Sequence, residues 1–335
     1  LVFGAGFANR TSFTPHSQRW FEIIKNSDAP LKVFLASSSN LAIDLLNSLQ
    51  ASSKVSVVGL ITTPDQPKKR SGTRSPNEFA AWVFQNRPAI EIFKPESSTD
   101  LQSLLSSAKP DLVVAIAYGK IVKPDSLTLP KLGWLNIHFS LLPKYRGAAP
   151  VQRAILDGQV VTGVSIFQME EGLDTGPIYC QKEFPISAEI TGTQLLEYLA
   201  TEGAELLLKA IDLILGGFKP IDQQGEPSLA PKIAKEELRL DCSRDTSDLI
   251  RQIKAFGKRP GCWLMLDGKR LTITDAVSGS SRLSPGLVEV TEDSFLIGTL
   301  DGSLSVRSLI LEGRREMSGQ EFARGGRKYS GQSVE

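Results

Sequence analysis

From Leu31 onward, short apolar runs rich in β-branched residues alternate with amphipathic stretches, and at Gly216-Gly217 that rhythm stops. No other feature of the chain limits its fold as tightly. Leu31–Ala36 and Val55–Ile61 read as buried strands, as do 89–93, 111–117 and Trp134–His138. Between them, 40–49 places leucines 41, 45, 46 and 49 on one helical face, and 77–85 starts from a capping Asn77. Residues 148–156 and 193–215 read as helices, the second long and amphipathic. Elements of these lengths in alternation predict an α/β domain around a mostly parallel sheet over 31–216. Residues 217–230 have linker composition. Beyond them, one helical stretch at 247–256 precedes short strands at 263–267, 270–275, 286–290, 294–298 and 303–311. Close, regular strand spacing with Asp-Gly and Ser-Gly turns predicts a smaller β-barrel domain over 231–335.

Composition removes several classes of function. A chain of 335 residues has room for two cores, and at 41% hydrophobic and 22% charged it has the make-up of a globular protein. The net charge is +1, so attraction to nucleic acid would have to come from local patches. Three cysteines far apart suit reduced thiols, and with two histidines they offer no zinc set, so no metal is expected. Gly4-Ala-Gly6-Phe-Ala-Asn9 only approaches a dinucleotide fingerprint, and the turn Ala36-Ser37-Ser38-Ser39 lacks the glycines a pyrophosphate needs. No nucleotide cofactor is expected either. The first 30 residues hold Arg10, Arg19, Ser and Thr with no acid before Glu22, the profile of an organelle transit peptide, mitochondrial or plastid. An ordinary tail on a cytoplasmic protein is the other reading of 1–30.

With imidazole so scarce, the setting of His138 matters. It stands in Asn136-Ile-His138-Phe-Ser140-Leu-Leu-Pro143-Lys-Tyr-Arg146-Gly147, and a carboxylate follows in Gly172-Leu-Asp174-Thr-Gly176. Strand alternation projects Asn136 and His138 to one side. An amide donor, an imidazole and an acid on loops at strand ends suit acyl transfer, whose tetrahedral oxygen needs donors and whose nitrogens exchange a proton. On the spacing alone, a core histidine bonded to backbone is the better reading.

The longer strings decide between the two. Asn136 to Gln152, Thr162-Gly163-Val164-Ser165, Glu171 to Ile178, Ala117-Tyr118-Gly119 and Leu129-Pro130-x-x-Gly133 together resemble the folate-dependent formyltransferases. That resemblance implies a Rossmann-like catalytic domain with an OB-like second domain, and 10-formyltetrahydrofolate as formyl donor. It implies Asn136, His138 and Asp174 as the catalytic trio, and Tyr118, Gly119, Ser140, Leu141, Leu142 and Pro143 against the folate. Within the family, Ser140 to Gln152, Ala230 to Asp241 and Pro260-Gly-Cys-Trp263 sit nearest the members whose acceptor is initiator methionyl-tRNA. Those members imply a monomer that contacts tRNA through Lys68, Lys69, Arg70 and Arg74, through Arg146, and through Lys254, Lys258 and Arg259. Taken singly, the basic patches fit a solvated charged face at least as well.

Two rival functions stand beside this one: a formyltransferase or hydrolase with a small-molecule acceptor, and a tRNA-binding homologue without catalysis. The chain also departs from the family pattern. Ala36-Ser37-Ser38-Ser39 replaces a Gly-Thr/Ser-Pro turn, Phe139 stands where a smaller residue is usual, Lys123 precedes Pro124, and Cys242 replaces a Trp.

Overall fold

The computed structural model describes residues 29–67 and 74–335. Its first sheet has seven strands: β1 (Leu31–Ala36), β2 (Val55–Ile61), β3 (Ile92–Phe93), β4 (Leu112–Ala115), β5 (Trp134–His138), β6 (Val161–Gln168) and β7 (Ile178–Pro185). They lie in the order β3-β2-β1-β4-β5-β6-β7. The pairs β2/β3, β1/β2, β1/β4 and β4/β5 are parallel, and β5/β6 is antiparallel. The predicted mostly parallel, Rossmann-like sheet is therefore present, with its chain order reversing between β1 and β4. At such a switch point the loops after the two strands diverge and leave a crevice at their carboxyl ends.

Helices α1 (Ile43–Ala51), α2 (Glu78–Asn86), α3 (Ser98–Ala108) and the short α4 (Pro124–Leu127) connect the parallel strands. Leu45, Leu46 and Leu49 are fully buried, as their spacing predicts, whereas Leu41 lies in a short 3-10 turn and is only half-buried. Asn77 caps α2 by accepting the Ala80 N–H at 3.0 Å. Trp134 is wholly buried in β5, and its indole N–H donates to the Ser126 carbonyl at 2.9 Å. Burial of a ring that size is worth about 3 kcal/mol, so the strand before His138 is firmly seated. The sequence-based expectation lacks α3, α4, β6 and β7 here, and the strand Glu316–Ser318 and helix Gly319–Gly326 farther on. Predicted strand 89–93 shrinks to two residues.

The described chain divides into two compact units. One runs to Gly147 and resumes over Thr162–Phe184 and Leu196–Leu229; the other comprises Ala148–Val161, Pro185–Leu195 and Ala230–Glu335. In the second, helix α5 (Pro150–Leu156) packs on α7 (Thr246–Phe256), so a piece of chain from before the linker belongs to the C-terminal core. The long helix α6 (Gly192–Leu215) comes between them in sequence.

The C-terminal sheet is antiparallel and curled, with an OB-like arrangement. Its strands are β8 (Cys262–Leu266), β9 (Lys269–Ser278), β10 (Val288–Val290), β11 (Phe295–Gly298), β12 (Ser303–Leu311) and β13 (Glu316–Ser318), followed by α8 (Gly319–Gly326). β12 buries Leu304 and Val306, then Leu309 and Leu311, its alternation slipping by one residue at Arg307 where the pairing with β9 shifts.

Candidate active site

Strand β5 ends at His138. Register sets Asn136 opposite Ala115 on one side and Phe167 on the other, with His138 opposite Ser165. The imidazole is 5% exposed. Its Nε2 lies 2.8 Å from the Tyr145 carbonyl oxygen. A carbonyl can only accept, so Nε2 carries the hydrogen and Nδ1 is the basic nitrogen. Nδ1 faces Asp174 Oδ2 at 3.6 Å, and the Phe167 ring stands edge-on to the imidazole. Burial pushes the His138 pKa below its ordinary 6.5, and the Asp174 carboxylate and the Tyr145 carbonyl oppose that fall without cancelling it. At neutral pH the ring is therefore uncharged, with a basic nitrogen aimed at a carboxylate. A proton arriving at Nδ1 would complete an imidazolium–carboxylate pair. Asn136 is half-buried on the same face, and among the described residues no hydrogen bond engages its side chain.

Asp174 takes a left-handed conformation, φ 50°, in a turn flanked by Gly172 and Gly176. At Gly176 any side chain would run into the Gln168 carbonyl, so the turn needs glycine there. Asp174 Oδ2 accepts the Gly147 N–H at 2.8 Å, which ties the acid to the loop that follows β5. Gln223 reinforces the tie. Its amide donates to the carbonyls of Asp174 (2.7 Å) and Gly176 (2.8 Å) and accepts from Arg146 Nε (3.1 Å) and Nη2 (2.6 Å). Arg146 is thus half-buried and bonded to a neighbouring segment of its own chain.

The Ser140–Pro143 loop is held from β6. Ser165, wholly buried, donates to the Ser140 carbonyl at 2.6 Å and accepts the Leu142 N–H at 3.1 Å, while Gln181 bonds both Ser165 Oγ and the Leu142 carbonyl. Ser140 Oγ donates to the Lys144 carbonyl at 2.6 Å. Leu142 and Pro143 are buried, and Leu141 is half-buried beside them. On the other side of the switch point, Ser38 donates its N–H and its hydroxyl to the Ala117 carbonyl, so the unusual serine turn is joined to the Tyr118–Gly119 loop. Gly119 has φ 77°. Tyr118 lies inward, in the core with Trp134, and burial pushes its phenol up to about 12. Phe139 is buried and Lys123 exposed.

The predicted basic contacts fare differently. Lys68, Lys69 and Arg70 lie outside the described residues. Arg74 is exposed, 3.9 Å from Glu96. In the C-terminal unit, Lys254 donates to the Ala188 carbonyl and lies 3.5 Å from Glu189, and Lys258 pairs with Glu316. Arg259 is exposed at the turn before Gly261. Among the described residues no group of three His, Cys, Asp or Glu side chains could hold a metal ion.

An amide and an imidazole on one strand face, with an acid turned toward the ring at the carboxyl end of a Rossmann-like sheet, are groups suited to acyl transfer. Residues 31–211 match the formyl transferase family model, and 232–327 match that of the formyl transferase C-terminal domain. The chain belongs to the formyl transferase family. It is 34% identical over 299 residues to methionyl-tRNA formyltransferase of Renibacterium salmoninarum, covering 88% of this chain and 96% of that one. With methionyl-tRNA formyltransferase of Acidothermus cellulolyticus the identity is 36% over 328 residues, covering 91% and 100%. Among solved structures, HypX from Aquifex aeolicus in complex with tetrahydrofolic acid shares the fold at TM-score 0.60 and 18% identity, over 88% of this chain. The chain spans about half, 48%, of HypX.

Gln223 and Ser228 are the site residues that sequence reasoning passed over, because 217–230 carries no periodicity and reads as linker. With Pro220, Gly225 and Pro227 around Gln223-Gln224, the stretch has the composition of a tether, and no local pattern marks either residue.

Proposed function

We propose that the protein transfers the formyl group of 10-formyltetrahydrofolate to the α-amino group of methionyl initiator tRNA. The observation that carries this reading is His138 Nδ1, uncharged and facing Asp174, on the same strand face as the unengaged amide of Asn136. The amine attacks the formyl carbon, and the carbonyl oxygen becomes negative. Asn136 donates an amide N–H to that oxygen. His138 takes the proton from the attacking nitrogen at Nδ1, beside the Asp174 carboxylate that stabilises the resulting cation, and returns it to the folate nitrogen as the C–N bond breaks. No charge need accumulate elsewhere. The curated relatives named methionyl-tRNA formyltransferase, matched over most of both chains, support the acceptor. A bound tetrahydrofolic acid in a protein of the same fold supports the donor.

The test is transfer of labelled formyl from 10-formyltetrahydrofolate to charged initiator tRNA, with elongator methionyl-tRNA, an amino sugar and free methionine as alternative acceptors. Transfer to initiator tRNA is expected; formylation of the small molecules alone, or of nothing, overturns the reading. We further propose that residues 1–30 direct import into mitochondria and that the enzyme acts as a monomer. Fusion of 1–30 to a fluorescent protein, and sedimentation of the purified chain, would decide these two points.

A further inference from the structure

The stretch after α6 does more than lead to the second unit. Ile221 and Ile178 exchange backbone hydrogen bonds at 2.8 Å each, pinning the stretch to the start of β7. Farther on, the Ser228 carbonyl accepts the Arg146 N–H at 2.8 Å, its hydroxyl accepts the Tyr145 N–H at 2.9 Å, and its N–H donates to the Pro143 carbonyl at 3.2 Å. Between these anchors sits Gln223, and its amide is fully spent. Both N–H groups go to the Asp174 turn and the oxygen accepts from Arg146 twice. The two loops that carry the reacting groups are thus held against a third segment rather than against each other alone. One loop presents the Tyr145 carbonyl that orients the His138 ring; the other presents Asp174.

We propose that Gln223 is a positioning residue for the reaction, clamping the Asp174–Gly176 turn to Arg146 so that the acid and the imidazole keep their register. Its catalytic consequence rests on the formyl-transfer reading above; the geometry does not. Only an amide serves, because the clamp needs two donors toward carbonyls and an acceptor toward a guanidinium. Asp174 sits at positive φ, a conformation a non-glycine residue leaves readily unless its carbonyl is held.

Gln223→Ala removes both halves of the clamp. Gln223→Glu keeps the acceptor for Arg146 but sets a carboxylate against two carbonyls, so it isolates the Asp174 half without changing size. Both variants are expected to lose about ten- to a hundredfold in kcat with KM for tRNA and folate within about twofold, as misplacement of a bound geometry does. A second readout does not depend on turnover. The chain has two histidines, so a His16→Gln background leaves the His138 ring alone in a proton NMR titration. The groups facing that ring are the Asp174 carboxylate, the Tyr145 carbonyl and the Phe167 ring. Release of Asp174 weakens the contact that raises the ring's pKa, so in the Ala variant the midpoint moves to lower pH, whereas in the Glu variant the added carboxylate opposes that shift. Unchanged kcat with an unchanged midpoint overturns the proposal, as does a Glu variant that behaves like wild type while the Ala variant merely unfolds. If wild type formylates no acceptor, the function reading fails, and the NMR arm still decides the clamp.

Discussion

The loops around His138 and the basic face of α7 use polar side chains in opposite ways. Around His138 the polar groups are buried or half-buried, and all but Asn136 are committed to backbone partners: His138 to Tyr145, Ser165 to Ser140 and Leu142, Gln223 to Asp174 and Gly176. On α7 and its neighbours the charges are mostly exposed and meet other side chains, Lys258 with Glu316 and Arg244 with Asp248. Removing a buried polar partner strands another group away from water, whereas an exposed ion pair dissolves into solvent at little cost. The first region should therefore be brittle and the second forgiving.

The largest effect should come from His138→Ala, with a loss of turnover of about a hundredfold or more, measured as formyl transfer under saturating substrates. Turnover near that of wild type would break the contrast at its centre. Ser165→Ala, outside the reacting groups but buried with three hydrogen bonds, should cost about 1–3 kcal/mol of stability in urea unfolding. A cost under a few tenths would show that the Ser140–Pro143 loop holds itself.

A pH effect follows from the buried ring. Because the folded-state pKa of His138 is depressed below 6.5, its contribution to stability is fully present above about 6.5 and is lost as pH falls through the lower folded value. His138→Gln should flatten the unfolding free energy across that window relative to wild type; parallel curves for the two proteins would contradict it. Arg153 and Glu237 give an intermediate case inside the C-terminal unit, bonded twice at 2.5 and 2.9 Å and half exposed. Glu237→Gln should cost about 1 kcal/mol at neutral pH. Smallest of all, Lys258→Ala should change stability by less than about 0.5 kcal/mol, an effect that fades in high salt. If tRNA binds there, its affinity should fall severalfold at low salt and little at high salt.

Much of this architecture can be read without coordinates where apolar residues cluster in short runs. β5 and β12 fall where their residues predict, because Trp134, Leu135 and Ile137, or Leu304, Val306 and Leu309, have to leave water together. Helix α3 carries a local signal too: Ser97 and Asp100 form a capping box ahead of Leu101 and Leu105, but the serines between lower its hydropathy and mask the helical period. β7 was not legible, since most of its residues are half-buried and show no alternation. In the site, Asn136, His138 and Asp174 stand out through their motifs. Gln223 does not, because its role depends on bonds to residues distant in sequence.

By itself, the sequence determined the alternation of strands and helices, the break at Gly216-Gly217, and the one strand end where an amide and an imidazole share a face. These follow from local period and steric preference, which act over a few residues. Tertiary structure alone decided which ring nitrogen of His138 is basic, that Arg146 is bonded to Gln223, and that a segment of linker composition braces both loops of the site. Each of those depends on where a carbonyl or an amide from elsewhere in the chain comes to rest, and no local pattern records that.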